Sequence, residues 1–324
     1  MTSPHTNTNQ YLDIPCTTEI PLIQCLDPRA HVNQFWQQKT RPDGRIFAQS
    51  RATKVVYGML KHSAGSALVK QQSRKCPSKS IGVTAGTKVL AATSYHIGQP
   101  CPEQPMEGDV VVCVCGNGGR NIAESRTQHR WDILQSWLQR TLEGDKRMMQ
   151  SLNLLTGKAC LQLVLTVVVL EDNGSLKDAA LLACMAAWKD TQLPTVGRDL
   201  IESQGRLWWK KIDGPITSID NSDYTSDHRM DEPKASDNSS DERDYRISLT
   251  MGIWKDEMNQ THLLADPSSL EEMSLLGSLT IVVNLSTGRL QIDYTGEVPL
   301  TAKELAFASK LAEARKVEVS SLLL

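Results

Sequence analysis

The sequence lacks what a membrane-spanning, disulfide-stapled or metal-centred protein would need. Its longest apolar run, Leu161 to Leu170, is too short to cross a bilayer as a helix. The opening MTSPHTNTNQ is polar and has no apolar signal-peptide core, so a soluble intracellular protein without a membrane anchor is expected. There are 8 cysteines but no CxxC pair, and no histidine spacing completes a zinc site. Buried, reduced thiols in a cytosolic or nuclear protein are the expectation, with Cys113 and Cys115 on one face of a strand and Cys160 and Cys184 in apolar surroundings. No metal and no cofactor is expected. Aromatic residues make up 5%, few for a free-standing RNA-binding module that offers stacking platforms. The formal charge of −2 gives no overall cationic excess, although local patches and partner subunits can supply one. Gly116-Asn-Gly-Gly119 follows a strand but lacks the lysine of a phosphate loop and the later glycine of the dinucleotide fingerprint.

What is present fits a globular chain of 324 residues, 40% hydrophobic and 22% charged. The stretch from Leu161 to Val196 organises it. A β-branched apolar run reads as a strand covered on both faces. Asp172-Asn-Gly174 makes a tight turn, and Leu176 to Asp190 forms a helix with Ser175 as its N-cap and Pro194 beyond its end. Ala179, Ala180, Ala183, Ala186 and Ala187 suit close approach to a sheet or another helix.

Before this stretch come a mobile tail (residues 1–27), a helix from Pro28 to Gln38, and Arg41-Pro-Asp-Gly-Arg45, whose residue types make an ordinary turn. Lys54 to Leu60 and Ser66 to Lys70 read as a hairpin, and Gln71 to Lys79 as an exposed basic loop. Lys88 to Ser94 and Asp109 to Cys115 are further strands. A helix from Ser125 to Leu142 carries an apolar stripe of Trp131, Leu134, Trp137, Leu138 and Leu142. After the central stretch, Asp213 to Tyr245 is a disordered acidic insertion. Arg246 to Trp254 alternates as a half-buried strand. Leu279 to Leu285 and Arg289 to Tyr294 form a hairpin, and a helix from Thr301 to Lys316 starts on a capping box with Glu304.

Five of these landmarks, in this order, resemble the RNase PH family: Arg41-Pro-Asp-Gly-Arg45, Ala64-Gly-Ser-Ala-Leu-Val-Lys70, Thr87-Lys-Val-Leu-Ala91, Asp172-Asn-Gly with Lys177-Asp-Ala-Ala180 and Gln192-Leu-Pro194, and Ala265-Asp-Pro-Ser-Ser-Leu-Glu-Glu272. The resemblance covers residues 28 to 316 and lies nearest the ring subunits of the eukaryotic RNA exosome. It implies an α+β, RNase PH-type fold (ribosomal protein S5 domain 2-like) of two βαβα-type halves, with mixed sheets packed on helices. The halves are placed at 28–158 and 159–324, with the insertion at 213–245 inside the second. It also implies a seat in a hexameric ring with other RNase PH-like subunits, under a cap of S1 and KH domain proteins, handling RNA in the nucleus, nucleolus and cytoplasm.

Active members of the family need an acidic residue opening the strand after the acidic pair and a positive phosphate pocket. Here Glu271 and Glu272 stand for the pair, Ser278 stands in place of the key Asp, and Leu276 in place of another acid. A hydroxyl, with a pKa far above neutrality, cannot do a carboxylate's work. The resemblance also implies an arginine followed by Ser or Thr on the helix of the first half; Arg140-Thr141 matches it when that helix is aligned without a gap, but Ser136 and Glu143 stand where further basic residues belong. Arg140 is therefore a weak RNA-phosphate candidate, and no catalytic or metal residue is assigned. A non-catalytic ring subunit is the expectation, poorly soluble when purified alone. A phosphate-dependent 3′→5′ exoribonuclease and a free-standing RNA-binding protein are the alternatives.

Overall fold

The computed structural model describes residues 27–72, 86–116, 124–193, 201–203, 206–208 and 244–323. In chain order these form α1 (Pro28–Gln37), β1 (Ala52–Tyr57), β2 (Gly65–Gln72), β3 (Gly86–Gly98), β4 (Asp109–Gly116), α2 (Glu124–Glu143), α3 (Lys146–Ser151), β5 (Asn153–Leu155) and β6 (Ala159–Glu171). There follow α4 (Leu176–Asp190), β7 (Ile201–Ser203), β8 (Arg206–Trp208), β9 (Arg246–Lys255), β10 (Thr261–Ala265), α5 (Ser269–Glu272), β11 (Gly277–Asn284), β12 (Leu290–Gly296) and α6 (Ala302–Leu323). No described helix is long and apolar enough to cross a membrane. The tail up to residue 26, the basic loop from Ser73, the glycine-rich turn after Gly116 and the insertion up to residue 243 lie outside the described residues. Asp244 and Tyr245, assigned to that insertion, are instead buried at the start of β9.

Two sheets carry the fold. A 6-stranded sheet runs in the order β1-β2-β3-β6-β4, with β5 added on β6, and a 4-stranded sheet runs β10-β9-β11-β12. β4 and β6 are parallel, whereas β6 is antiparallel to β3. The strand placed at the head of the second half is therefore an inner strand of the first sheet, and a boundary at 158/159 cuts through that sheet.

The all-apolar run Ala179 to Trp188 of α4 explains the architecture. Every residue from Ala179 to Trp188 is buried, because α4 lies between β1, β2 and β3 of one sheet and β9 of the other. The alanines permit that approach. At Gly65 a Cβ atom would sit 2.5 Å from the backbone nitrogen of Thr191, so β2 meets the end of α4 backbone to backbone. The stripe of α2 behaves as its spacing requires, burying Leu134, Trp137, Leu138 and Leu142 against the first sheet.

Two burial expectations reverse. β6 buries Leu161, Leu163, Leu165, Val167 and Val169 on α4's side, but Gln162, Val164, Thr166 and Val168 face outward half-buried. Among the described residues no helix packs on that outer face of β6. By contrast β9 is buried on both faces. Its Leu249, Met251 and Ile253 pack with Ala308 and Ala312 of α6, while its Ser248 and Thr250 lie against α4. α6 runs past Lys316, and its last turns bring Val319 and Leu323 into the first core. Its capping box is formed, with the Thr301 N–H donating to Glu304 at 2.6 Å. Cys160 and Cys184 are buried as expected, and burial pushes the Cys184 thiol up to about 12. Cys101, Cys113 and Cys115 are exposed, the last two because β4 is an edge strand with its outer face open.

Candidate functional site

The Arg41–Arg45 turn is far from ordinary. The Arg41 guanidinium is buried and donates from Nε and Nη2 to both carboxylate oxygens of Glu271, at 2.8 and 2.5 Å. It also donates to the carbonyls of Ala265 and Asp266, at 2.6 and 2.9 Å. Arg51 grips the Asp266 carboxylate, Nη2 to Oδ1 at 2.6 Å, and reaches the carbonyls of Asn173 and Gly174 at 2.7 and 3.0 Å. Arg45 adds a contact to Asp266 at 3.3 Å. Three sequence landmarks, spread over more than two hundred residues, thus close on one buried ion network. Burial alone would raise the Asp266 carboxyl. The charge and hydrogen bonds of Arg51, helped by Arg45, outweigh that and hold it well below the usual carboxylate range. Glu271, also opposed by burial, is lowered by Arg41.

The network sets the start of α4. Gly174 has φ +82°, and a Cβ there would lie 2.4 Å from the Pro267 carbonyl oxygen, so only glycine lets the two loops touch. Ser175 does not cap the helix. Its φ of +48° is left-handed, its hydroxyl donates to the Pro267 carbonyl, and its N–H donates to Glu272 at 2.7 Å. A tertiary contact has taken the place of the local cap.

Beside this network lies the Ser278 cleft, about 550 Å³, lined among others by Arg130, Lys177, Thr250, Glu272 and Leu276. Ser278 stands on β11 opposite Gly252 of β9 and Thr295 of β12. The Leu275 side chain occupies the space over Gly252, coming within 2.3 Å of where a Cβ would be. Both cations of the cleft are engaged. Arg130 pairs with Asp172 at 2.9 Å and Glu272 at 3.3 Å. Lys177 pairs with Asp293 at 2.7 Å and lies 5.2 Å over the Trp137 ring. An incoming phosphate would have to break these pairs to gain a positive partner. Burial raises the Glu272 carboxyl, against the Ser175 N–H and Arg130.

Below the cleft, Asp178 accepts from the Thr250 N–H at 2.7 Å and from its hydroxyl at 2.9 Å. Burial nevertheless raises the Asp178 carboxyl from 3.8 to about 6.

The structure brings Glu271, Glu272, Leu276 and Ser278 to this region but leaves Arg140 and Thr141 elsewhere. Arg140 is exposed on α2, its Nε donating to the Ser136 carbonyl at 3.3 Å, and it is not among the residues lining the cleft. Thr141 is buried, with its hydroxyl on the Trp137 carbonyl. Glu143 accepts from Gln139 at 2.7 Å. Sequence reasoning missed Arg51, Lys177, Asp178 and the cleft position of Arg130. An acid inside the apolar run Leu176 to Trp188 was the one available signal for Asp178. Among the described residues no three His, Cys, Asp or Glu side chains are arranged to hold a metal ion.

Residues 49–194, a little under half of the chain, match the model of the 3′ exoribonuclease family, domain 1. It is 29% identical over 180 residues to the exosome complex component Rrp42 of Pyrobaculum aerophilum, a match covering 53% of this chain and 58% of that relative. Rrp42 of Thermococcus gammatolerans is 25% identical over 171 residues, 52% of this chain and 58% of the relative. The chain thus spans little more than half the length of these curated relatives. The fold matches an archaeal exosome core chain with a TM-score of 0.63 at 20% identity, covering 92% of this chain and 97% of that one. It matches a chain of the Archaeoglobus fulgidus exosome, solved with RNA bound to the active site, with a TM-score of 0.60 at 19% identity, covering 92% and 98%.

Proposed function

We propose that this chain is a non-catalytic subunit of an RNA exosome core ring, supporting 3′→5′ RNA processing and degradation in ribosomal RNA maturation and mRNA turnover. It sits beside other RNase PH-like subunits in a six-membered ring, supports S1 and KH cap proteins, and lines part of the RNA path in the nucleus, nucleolus and cytoplasm. One observation carries the reading. The cleft that would do chemistry has Ser278 where an acid is required, and its two cations are already paired with carboxylates. Electrostatic stabilisation of an attacking phosphate requires unengaged positive charge aimed at it. The likeness to exosome core chains supports the assembly half of the reading.

Affinity purification of the tagged full chain from its own cells tests that half. RNase PH-like and S1-domain proteins should be recovered in comparable molar amounts. Recovery of the chain alone, under conditions that preserve other complexes, contradicts the ring.

A further inference from the structure

We infer that the outer face of the first sheet binds the phosphate backbone of single-stranded RNA along a cross-strand row of lysines. The register places Lys54 of β1 directly opposite Lys70 of β2, and Lys70 directly opposite Lys88 of β3. All three point away from α4, since the alternating neighbours Val69 and Val89 are core residues and Val55 packs on that core. Side chains on directly opposite strand residues start about 5 Å apart, and like charges there destabilise a sheet. A fold gains nothing internally from such a row. Lys88 is answered by Glu171 at 2.6 Å, whereas no carboxylate lies within ion-pair distance of Lys54 or Lys70 among the described residues. Two uncompensated cations remain side by side, Lys54 exposed and Lys70 half-buried.

The next row along the same strands is apolar. Val56, Leu68, Leu90, Val168 and Cys115 are successive cross-strand partners through β1, β2, β3, β6 and β4; Leu68 is buried, Leu90 and Val168 are half-buried, and Val56 and Cys115 are exposed. Two residues separate the rows on each strand, about 7 Å at the usual strand rise. That is close to the reach from a phosphate to its own base. A strand of RNA laid across the sheet sets phosphates on the lysines and bases against the aliphatic row. The proposal rests on the RNA-handling reading above for its choice of polyanion. It needs no ring contact, so it fails or stands separately from ring membership.

The test uses the purified full chain, a fluorescein-labelled single-stranded oligouridylate and anisotropy titrations across a salt series. The K54Q/K70Q double variant should bind about tenfold more weakly at low salt, and its log affinity against log salt should be shallower by about 1.4. Its melting temperature should be unchanged or higher, because the like-charge contact is gone, and a folding defect would lower it. A control variant, K303Q/K310Q on α6, should keep wild-type affinity. Equal affinity of K54Q/K70Q and wild type overturns the proposal, as does an equal loss in the control or no binding by the wild-type chain. Displacement of the RNA by a poly-glutamate peptide at matched charge concentration overturns it in favour of an acidic protein partner.

Discussion

Replacing Asp266 by Asn should cost about 3–5 kcal/mol of folding stability, read as a lower urea midpoint or as loss of soluble protein. The magnitude follows from what is left behind. Arg51 would remain buried, its guanidinium facing a neutral amide, with Arg45 close by. Part of its hydrogen bonding could persist through the carbonyls of Asn173 and Gly174, but the charge would be uncompensated. Conservative exchange at the surface gives the contrast. The half-buried Lys88–Glu171 pair should be worth under about 1 kcal/mol when broken. A D266N variant as stable as wild type would show that the three-arginine network is not what joins the two sheets.

The second large effect is a pH dependence. The Asp178 carboxyl is raised from 3.8 to about 6 in the folded chain, chiefly by burial. A raised folded pKa means that the native state holds the proton more tightly than the unfolded chain. The associated stability is present in full below the unfolded value and is lost as pH rises through about 6. Two pKa units correspond to a loss on the order of 3 kcal/mol. Asp178→Asn cannot titrate, so its stability relative to wild type should climb between pH 4 and pH 6 and then level off. Urea unfolding of both proteins across that range measures the difference directly. A difference that stays flat with pH would mean that Asp178 is hydrated or otherwise charged without cost.

Much of this fold can be read along the chain, and the reasons for the exceptions are physical. The central helix, its alanine surface and both hairpins follow from periodicity and turn chemistry, which are local signals. Burial on each face of a strand is decided by what lies above it. The Val164 and Val168 side of β6 interrupts its apolar residues with only Gln162 and Thr166, yet no described helix covers it. Ser248 and Thr250 on β9 look like surface residues, yet they are buried because Asp178 of α4 gives Thr250 hydrogen-bond partners. Small polar side chains there let helix and strand approach. The helix α3 was missed because it is only 6 residues long, although Asp145 caps it through the Met148 N–H.

The candidate site divides in the same way. Ser278 and Leu276 were legible because they fall at fixed offsets within one motif. The pairing of Arg41 with Glu271 and of Arg51 with Asp266 joins positions more than two hundred residues apart, and nothing in a turn's residue types reveals such a partner. Arg140 lies outside the Ser278 cleft for a related reason. Its spacing on α2 was right, but helix orientation points it to solvent, while Arg130 meets the acidic pair.

The most direct test of the account is phosphorolysis by the chain itself. The purified full chain is incubated with 5′-labelled single-stranded RNA and inorganic phosphate, with and without magnesium, and released nucleoside diphosphates are measured. The account predicts no release above a no-protein control and no shortening of the RNA. Phosphate-dependent release of nucleoside diphosphates that continues through several turnovers and disappears when the Ser278 cleft is altered by Lys177→Glu would contradict it, and would make this chain an exoribonuclease.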